Sequence, residues 1–172
     1  MTDCLREIRI PDGTTGILFL HHMPARSTEE YVETMEEFRS RAEAAHIHTI
    51  LCLCSQAELE QKSPEYAKAI ADGTLGYAFN RFAIKDYGIP SDIPAYISFI
   101  TEAADLLKAG KNCVLHCGAG IGRTGMTASC ILSALGFPAA QADSIVRSAQ
   151  AGAETNEQRA FIEQVRIVIE NS

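Results

Sequence analysis

One short segment constrains the fold of this chain more than any other. Asn112-Cys113-Val114-Leu115-His116 is an apolar run of strand length, and it passes directly into Cys117-Gly118-Ala119-Gly120-Ile121-Gly122-Arg123-Thr124-Gly125. A continuous apolar run reads as a strand covered on both faces, and a glycine-rich turn after it opens a helix, so this is one strand-loop-helix unit of a layered α/β domain. The segments before it repeat the alternation. A hairpin pivots on Pro11-Asp12-Gly13, and Ile17-Leu18-Phe19-Leu20 reads as a strand. A helix is predicted from Ser27 to Ala45, with Ser27 and Glu30 as its capping box. Ile47 to Cys54 reads as a buried strand, Ser63-Pro64 to Gly73 as a short helix, and Tyr77 to Ile84 as a further strand. Ile93 to Ala109 repeats apolar residues at helical spacing and stops at Gly110.

Helices are predicted for the rest of the chain, over Arg123 to Leu135, Pro138 to Gln150 and Thr155 to Glu170, with Thr155 and Gln158 as a second capping box. The expectation is an α/β fold: a three-layer sandwich with a central, mixed but mostly parallel sheet flanked by helices, and a helical C-terminal half. No repeat, low-complexity tract or Pro/Gly/Ser linker divides the chain, so residues 1–172 are expected to form one domain.

Composition narrows the partners. A formal net charge of −7 gives no general attraction to nucleic acid or anionic lipid, so neither is expected as a partner. No apolar stretch reaches the roughly 18 residues needed to cross a bilayer as a helix. The segment from Met1 to Glu7 has neither the basic flank nor the apolar core of a secretory signal. Cys4, Cys52, Cys54, Cys113, Cys117 and Cys130 show no paired CxxC spacing. Reduced thiols in a reducing compartment follow, and with them a cytoplasmic location.

The segment that dictates the fold also carries chemistry. Gly118, Gly120 and Gly122 let the loop curl so that successive backbone N–H groups, including those of Ala119 and Ile121, converge on one anion at a helix N-terminus. The same positive environment favours a thiolate at Cys117. Arg123 offers a planar fork for two phosphoryl oxygens, which a lysine cannot match. The adjacent His21 and His22, and His46 with His48, lack a convincing ligand set and read as core or surface residues.

This segment resembles the protein tyrosine phosphatase superfamily pattern HCxxGxxR[ST], extended by Thr124 and Gly125. The resemblance implies a phosphocysteine mechanism with Cys117 as nucleophile and Arg123 binding phosphate, without a metal or other cofactor. It also implies that His116 orients the loop and that the Thr124 hydroxyl helps the thiolate leave. Lys85-Asp86-Tyr87-Gly88-Ile89-Pro90-Ser91 resembles the DxGxPS acid loop of the dual-specificity members, which makes Asp86 the general acid and Asp92 the runner-up. Gln158, followed by Ala160-Phe161-Ile162, is similar to the glutamine that positions the hydrolytic water, a role that competes with its capping box.

The layout is most similar to small dual-specificity and kinase-associated phosphatases, from about Gly16 onward, and Cys54-Ser55-Gln56-Ala57-Glu58-Leu59 resembles their C-[ST]-x-x-E-L segment. In several superfamily members a cysteine of this strand pairs with the oxidised nucleophile. That makes Cys54 the candidate redox partner of Cys117, with Cys52 and Cys113 as alternatives. The expected substrates are phosphorylated proteins or peptides bearing phosphotyrosine, with phosphoserine and phosphothreonine open, and a monomer is expected. A phosphoinositide or inositol-phosphate phosphatase is the main alternative, although no lysine interrupts the loop between Cys117 and Arg123. A non-catalytic phosphate-binding module is the other.

Overall fold

The computed structural model describes residues 5–172; Cys4 and the start of the N-terminal segment lie outside them. Twelve elements follow in chain order: β1 (Arg6–Arg9), β2 (Ile17–His21), α1 (Met35–Ala44), β3 (Ile47–Cys52), α2 (Gln56–Lys62), α3 (Pro64–Ala71), β4 (Ala78–Arg81), α4 (Ile93–Lys108), β5 (Asn112–His116), α5 (Gly122–Ala134), α6 (Ala139–Ser148) and α7 (Asn156–Glu170). The strands form one sheet in the order β1-β2-β5-β3-β4. β1 and β2 are the antiparallel hairpin around Pro11-Asp12-Gly13, and every other pairing is parallel. This is the mixed, mostly parallel sheet that the alternation of elements predicts.

The central strands are apolar because both of their faces are covered. Leu18, Leu20, Ile50, Leu51, Val114 and Leu115 are wholly buried. Helix α5 is buried along nearly its whole length, from Gly122 to Ser133, and contacts α4, α6 and α7. A helix enclosed on all sides has to be apolar or small all round, and its Ala128, Ile131 and Leu132 meet that demand. Each fully buried Leu or Ile contributes about 1.5–3 kcal/mol, so the helix that follows the phosphate loop is anchored by its own core face.

Two expectations are corrected. The helix predicted from Ser27 begins only at Met35, with Thr34 and Glu37 forming the capping box in place of Ser27 and Glu30. Glu33 explains the shift. Its carboxylate is buried, accepts the Ala25 N–H at 3.0 Å and pairs with Arg41, His21 and His22, so the segment is tethered at Glu33 while its other residues stay at the surface and do not coil. The second correction is α2, a helix absent from the sequence expectation. Ser55 caps it by accepting the Glu58 N–H at 3.2 Å.

Smaller differences concern boundaries. β3 ends at Cys52 and β4 spans only Ala78–Arg81, yet pairing continues past both, with Leu53 N–H donating to His116 O and Ile84 N–H to Leu53 O, each at 3.0 Å. Ser63 precedes α3 as expected, but its hydroxyl donates to Pro24 O at 2.7 Å instead of capping the helix.

Candidate active site

The strand registers align His21, His116, Cys52 and Arg81 across β2, β5, β3 and β4. Four parallel strands therefore end together, and the chain leaving each of them contributes one part of a site. This is the carboxyl edge of the sheet, where an open α/β fold leaves a crevice.

After β5 comes the loop from Cys117 to Gly122. Its Cys117 Sγ accepts the Gly120 N–H at 3.3 Å. Gly120 has φ +75°, and a Cβ there would lie 2.4 Å from His21 O, so only glycine fits. Gly125, one turn into α5, is equally confined: a Cβ would stand 2.1 Å from Gly152 N. Ile121, the N-cap of α5, supplies no side-chain bond, so among the described residues the N-terminus of α5 has no side-chain cap at the mouth of the loop.

Arg123 curls back under this loop and is almost fully buried. Its Nη1 donates to Glu58 Oε2 at 2.8 Å and to Ile84 O at 2.9 Å, while Nη2 donates to Glu58 Oε1 at 2.9 Å. Burial opposes the charge, but the Glu58 hydrogen bonds and the nearby Cys117 and Cys54 hold the Arg123 pKa well above its usual value. Glu58 is likewise opposed by burial, yet Arg123 and Lys62 hold its carboxyl down at about 2. Asp86, after β4, places Oδ1 3.2 Å from Arg123 Nη2 on a half-exposed side chain.

Behind the loop, His116 is wholly buried between two partners. Nδ1 faces Cys117 O at 3.1 Å and Nε2 faces the Tyr66 hydroxyl at 2.8 Å. A carbonyl can only accept, so Nδ1 carries a proton, while the Tyr66 hydroxyl, which can donate or accept, pairs with Nε2. Burial pushes the Tyr66 phenol well above its usual range and keeps it protonated.

Residues 16–167 match the family described as PTP-SAK, Swiss Army Knife protein, DSP-PTPase phosphatase domain. The chain belongs to this phosphatase family. Solved structures agree in fold. A kinase-associated phosphatase carrying a serine in place of its catalytic cysteine superposes with a TM-score of 0.82 at 18% identity, over 98% of this chain and 96% of that one. Tk-PTP in its active form gives 0.70 at 21% identity, over 96% and 98% of the two chains. PTPMT1 in complex with PI(5)P gives 0.69 at 14% identity, over 98% of each. No curated protein sequence matches the chain.

In this phosphatase the structure brings Cys117, His116, Arg123, Asp86 and the loop residues Gly118, Ala119, Gly120, Ile121 and Gly122 into one site. Thr124 Oγ1 is buried without a hydrogen-bond partner among the described residues. Asp92 lies elsewhere in role: its carboxylate caps α4 by accepting the Ala95 N–H at 3.0 Å. Gln158 is wholly buried but does not close the reciprocal capping box. Thr155 accepts its backbone N–H at 3.0 Å, while its side chain accepts from Glu154 N–H at 2.8 Å and donates to Gly88 O at 3.2 Å. It thus ties α7 to the acid loop, two residues from Asp86.

Glu58 and Tyr66 are the residues whose roles sequence reasoning missed. Glu58 sits in the C-[ST]-x-x-E-L segment and was therefore visible as a motif, without a partner. Nothing in the sequence around Tyr66 signals its contact with His116. Cys52 and Cys54 are both wholly buried, with Cys52 Sγ 3.6 Å from Cys54 O. Contact with the Cys52 sulfur, then burial, pushes the Cys54 thiol far above its usual range. His21 and His22 do acquire an acidic neighbour in Glu33, whose oxygens also serve Arg41 and the Ala25 N–H, as suits a buried ionic brace. His46 and His48 are exposed.

Proposed function

We propose that this phosphatase hydrolyses phosphotyrosine in proteins or peptides, with phosphoserine and phosphothreonine as further substrates, through a phosphocysteine at Cys117. The observation that carries the proposal is the 3.2 Å approach of the Asp86 carboxylate to Arg123 at the loop that begins with Cys117. An acid, an anion clamp and a nucleophile then share one crevice.

In the first step the Cys117 thiolate attacks phosphorus in line with the leaving oxygen. Arg123 and the loop N–H groups hold the equatorial oxygens, and Asp86 delivers its proton to the departing phenolate or alkoxide. The Glu58 grip on Arg123 fixes the plane of the guanidinium before substrate arrives, which limits reorganisation during reaction. In the second step water attacks the phosphocysteine and gives its proton to Asp86, and Cys117 departs as a thiolate that the unpartnered Thr124 hydroxyl can stabilise. Gln158 acts on both steps through the acid loop that it holds at Gly88. His116 positions the loop from beneath, through the Cys117 carbonyl.

Cys54 is the proposed redox partner. Both Cys54 and Cys117 lie close enough to Arg123 to bear on its ionisation. Peroxide oxidises the Cys117 thiolate to a sulfenic acid; Cys54 sulfur then attacks it, water leaves, and a disulfide replaces further oxidation. Residues 1–172 are proposed to act as one monomeric catalytic domain in the cytoplasm, on phosphorylated protein and without metal. No helix among the described residues is long and apolar enough to cross a membrane.

The test is hydrolysis of a small aryl phosphate, phosphopeptides and phosphoinositides in the presence of EDTA, for the wild type, Cys117→Ser and Asp86→Ala. Phosphopeptide cleavage that Cys117→Ser abolishes and Asp86→Ala slows supports the proposal. Equal activity in Cys117→Ser, or loss of activity on chelation, overturns the mechanism. Cleavage confined to phosphoinositides moves the assignment to the lipid branch, and binding of phosphopeptide without turnover moves it to a binding module.

A further inference from the structure

The loop between β2 and α1 presents an arginine that the catalytic steps do not use. Arg26 is half-buried, and among the described residues its guanidinium has no hydrogen bond or ion pair. It is nevertheless close to the phosphate loop. A Cβ built on Gly118, the residue after the nucleophile, would have Arg26 Nη1 and Arg123 Nη2 each at 3.3 Å, with Glu58 Oε1 at 3.4 Å. The two guanidinium nitrogens are therefore no further apart than twice that distance. Arg123 is engaged by Glu58, Ile84 O and Asp86, so Arg26 is the uncommitted cation of the pair.

The backbone that carries Arg26 is held from several sides. Met23 N–H donates to Gly118 O at 3.0 Å, and Ser63 Oγ donates to Pro24 O at 2.7 Å. Ala25 N–H donates to the buried Glu33, which His21 and Arg41 brace in turn. Arg26 N–H closes the turn on Met23 O at 3.3 Å. These contacts fix the base of the side chain against the active-site loop and leave its charged end free, the arrangement of a preorganised binding group.

The surroundings select the ligand. No lysine or second arginine occurs between Cys117 and Arg123, and the whole chain carries a net charge of −7, so one added cation suits one added anion rather than a polyphosphate or an anionic bilayer. The exposed Tyr87 and Ile89 on the acid loop and Ile121 on the phosphate loop offer apolar surface of the kind that peptide side chains cover. We propose that Arg26 is a substrate-binding residue that takes a carboxylate adjacent to the phosphorylated residue, which makes acidic phosphopeptides the preferred substrate class. This rests on the protein-phosphatase reading above.

The experiment compares matched phosphotyrosine peptides that differ only in Asp versus Asn beside the phosphotyrosine, on the wild type, Arg26→Ala and Arg26→Lys. The wild type is expected to prefer the Asp peptide by about twofold to fivefold in kcat/KM, chiefly through KM, as for a solvent-accessible arginine-carboxylate pair. Arg26→Ala brings the ratio to near unity, Arg26→Lys keeps part of it, and added salt lowers it in the wild type. A thermal melt of each variant shows that it is folded. A wild-type ratio near unity, or a ratio that survives Arg26→Ala, overturns the inference while leaving the protein-phosphatase reading intact. A wild type that cleaves phosphoinositides and no phosphopeptide overturns that reading, and the inference falls with it.

Discussion

Glu58 grips both terminal nitrogens of Arg123, with oxygens at 2.8 and 2.9 Å, so the guanidinium proposed to bind phosphate is held in one orientation by the protein itself. Glu58 belongs to α2 and Arg123 to α5, and the pair joins two elements that are far apart in the chain.

Glu58→Gln is therefore expected to lower kcat/KM by about tenfold to a hundredfold, because the fork stays bonded on one side only. It is also expected to cost about 3 kcal/mol of stability, since Arg123 is left buried with its main counter-ion gone. Denaturant melts measure the loss. The Glu58 carboxyl lies at about 2 in the folded chain against an ordinary 4.5, so its stabilisation is present above 4.5 and fades as pH falls toward about 2. The gap between wild type and variant should close over that range; a gap that persists at the acid end contradicts the assignment.

Asp86→Ala is expected to slow phosphotyrosine hydrolysis by about a hundredfold or more, the usual scale for a lost general acid. The deficit should shrink for aryl phosphates whose leaving groups are stronger acids, because those depart without a proton. Gln158→Ala should follow the same leaving-group trend with a smaller loss, since it acts on the acid loop through Gly88 O. A leaving-group-independent loss in Gln158→Ala would assign it to water positioning instead.

Tyr66→Phe removes the hydroxyl 2.8 Å from His116 Nε2 and leaves a buried ring nitrogen unpaired. The expected cost is about 1–3 kcal/mol in stability. Turnover should fall as well, because His116 supports the carbonyl of Cys117, the proposed nucleophile. An unchanged imidazole resonance in proton NMR would count against the contact.

Gly120→Ala and Gly136→Ala separate two reasons for glycine. Both positions have positive φ, at +75° and +95°, but a Cβ at Gly120 would meet His21 O at 2.4 Å, whereas at Gly136 nothing lies within 4 Å. Gly136→Ala should cost about 1–2 kcal/mol, the ordinary penalty for a left-handed conformation. Gly120→Ala should cost more and abolish most activity, because the loop and β2 cannot both keep their places. Equal effects on activity would show that backbone conformation alone matters.

How much could be read in advance follows from how local each interaction is. The phosphate loop is a run of adjacent residues, so its glycines, Cys117 and Arg123 were visible together, as was the acid loop around Asp86. The Ser27 and Glu30 pattern misplaces the start of α1 because it is local, while the tether that holds residues 27–34 out of a helix comes from His21, His22 and Arg41 acting on Glu33. For Gln158 the sequence offers a water-positioning glutamine by resemblance and a capping box by pattern; only the Thr155 half of the box forms, since the Gln158 amide bonds Glu154 N–H and Gly88 O, the latter on a loop that no nearby residue announces.

The sequence by itself determined the layered α/β fold, the strand-loop-helix unit and the candidates for nucleophile and phosphate clamp, because periodicity and short-range backbone geometry act between neighbours in the chain. Only the tertiary structure decided that Glu58 orients Arg123, that Tyr66 holds His116 and that Arg26 stands beside Gly118. Those pairings depend on parallel strands ending at one edge of the sheet, and that juxtaposition is a property of the packed molecule, not of any stretch of residues.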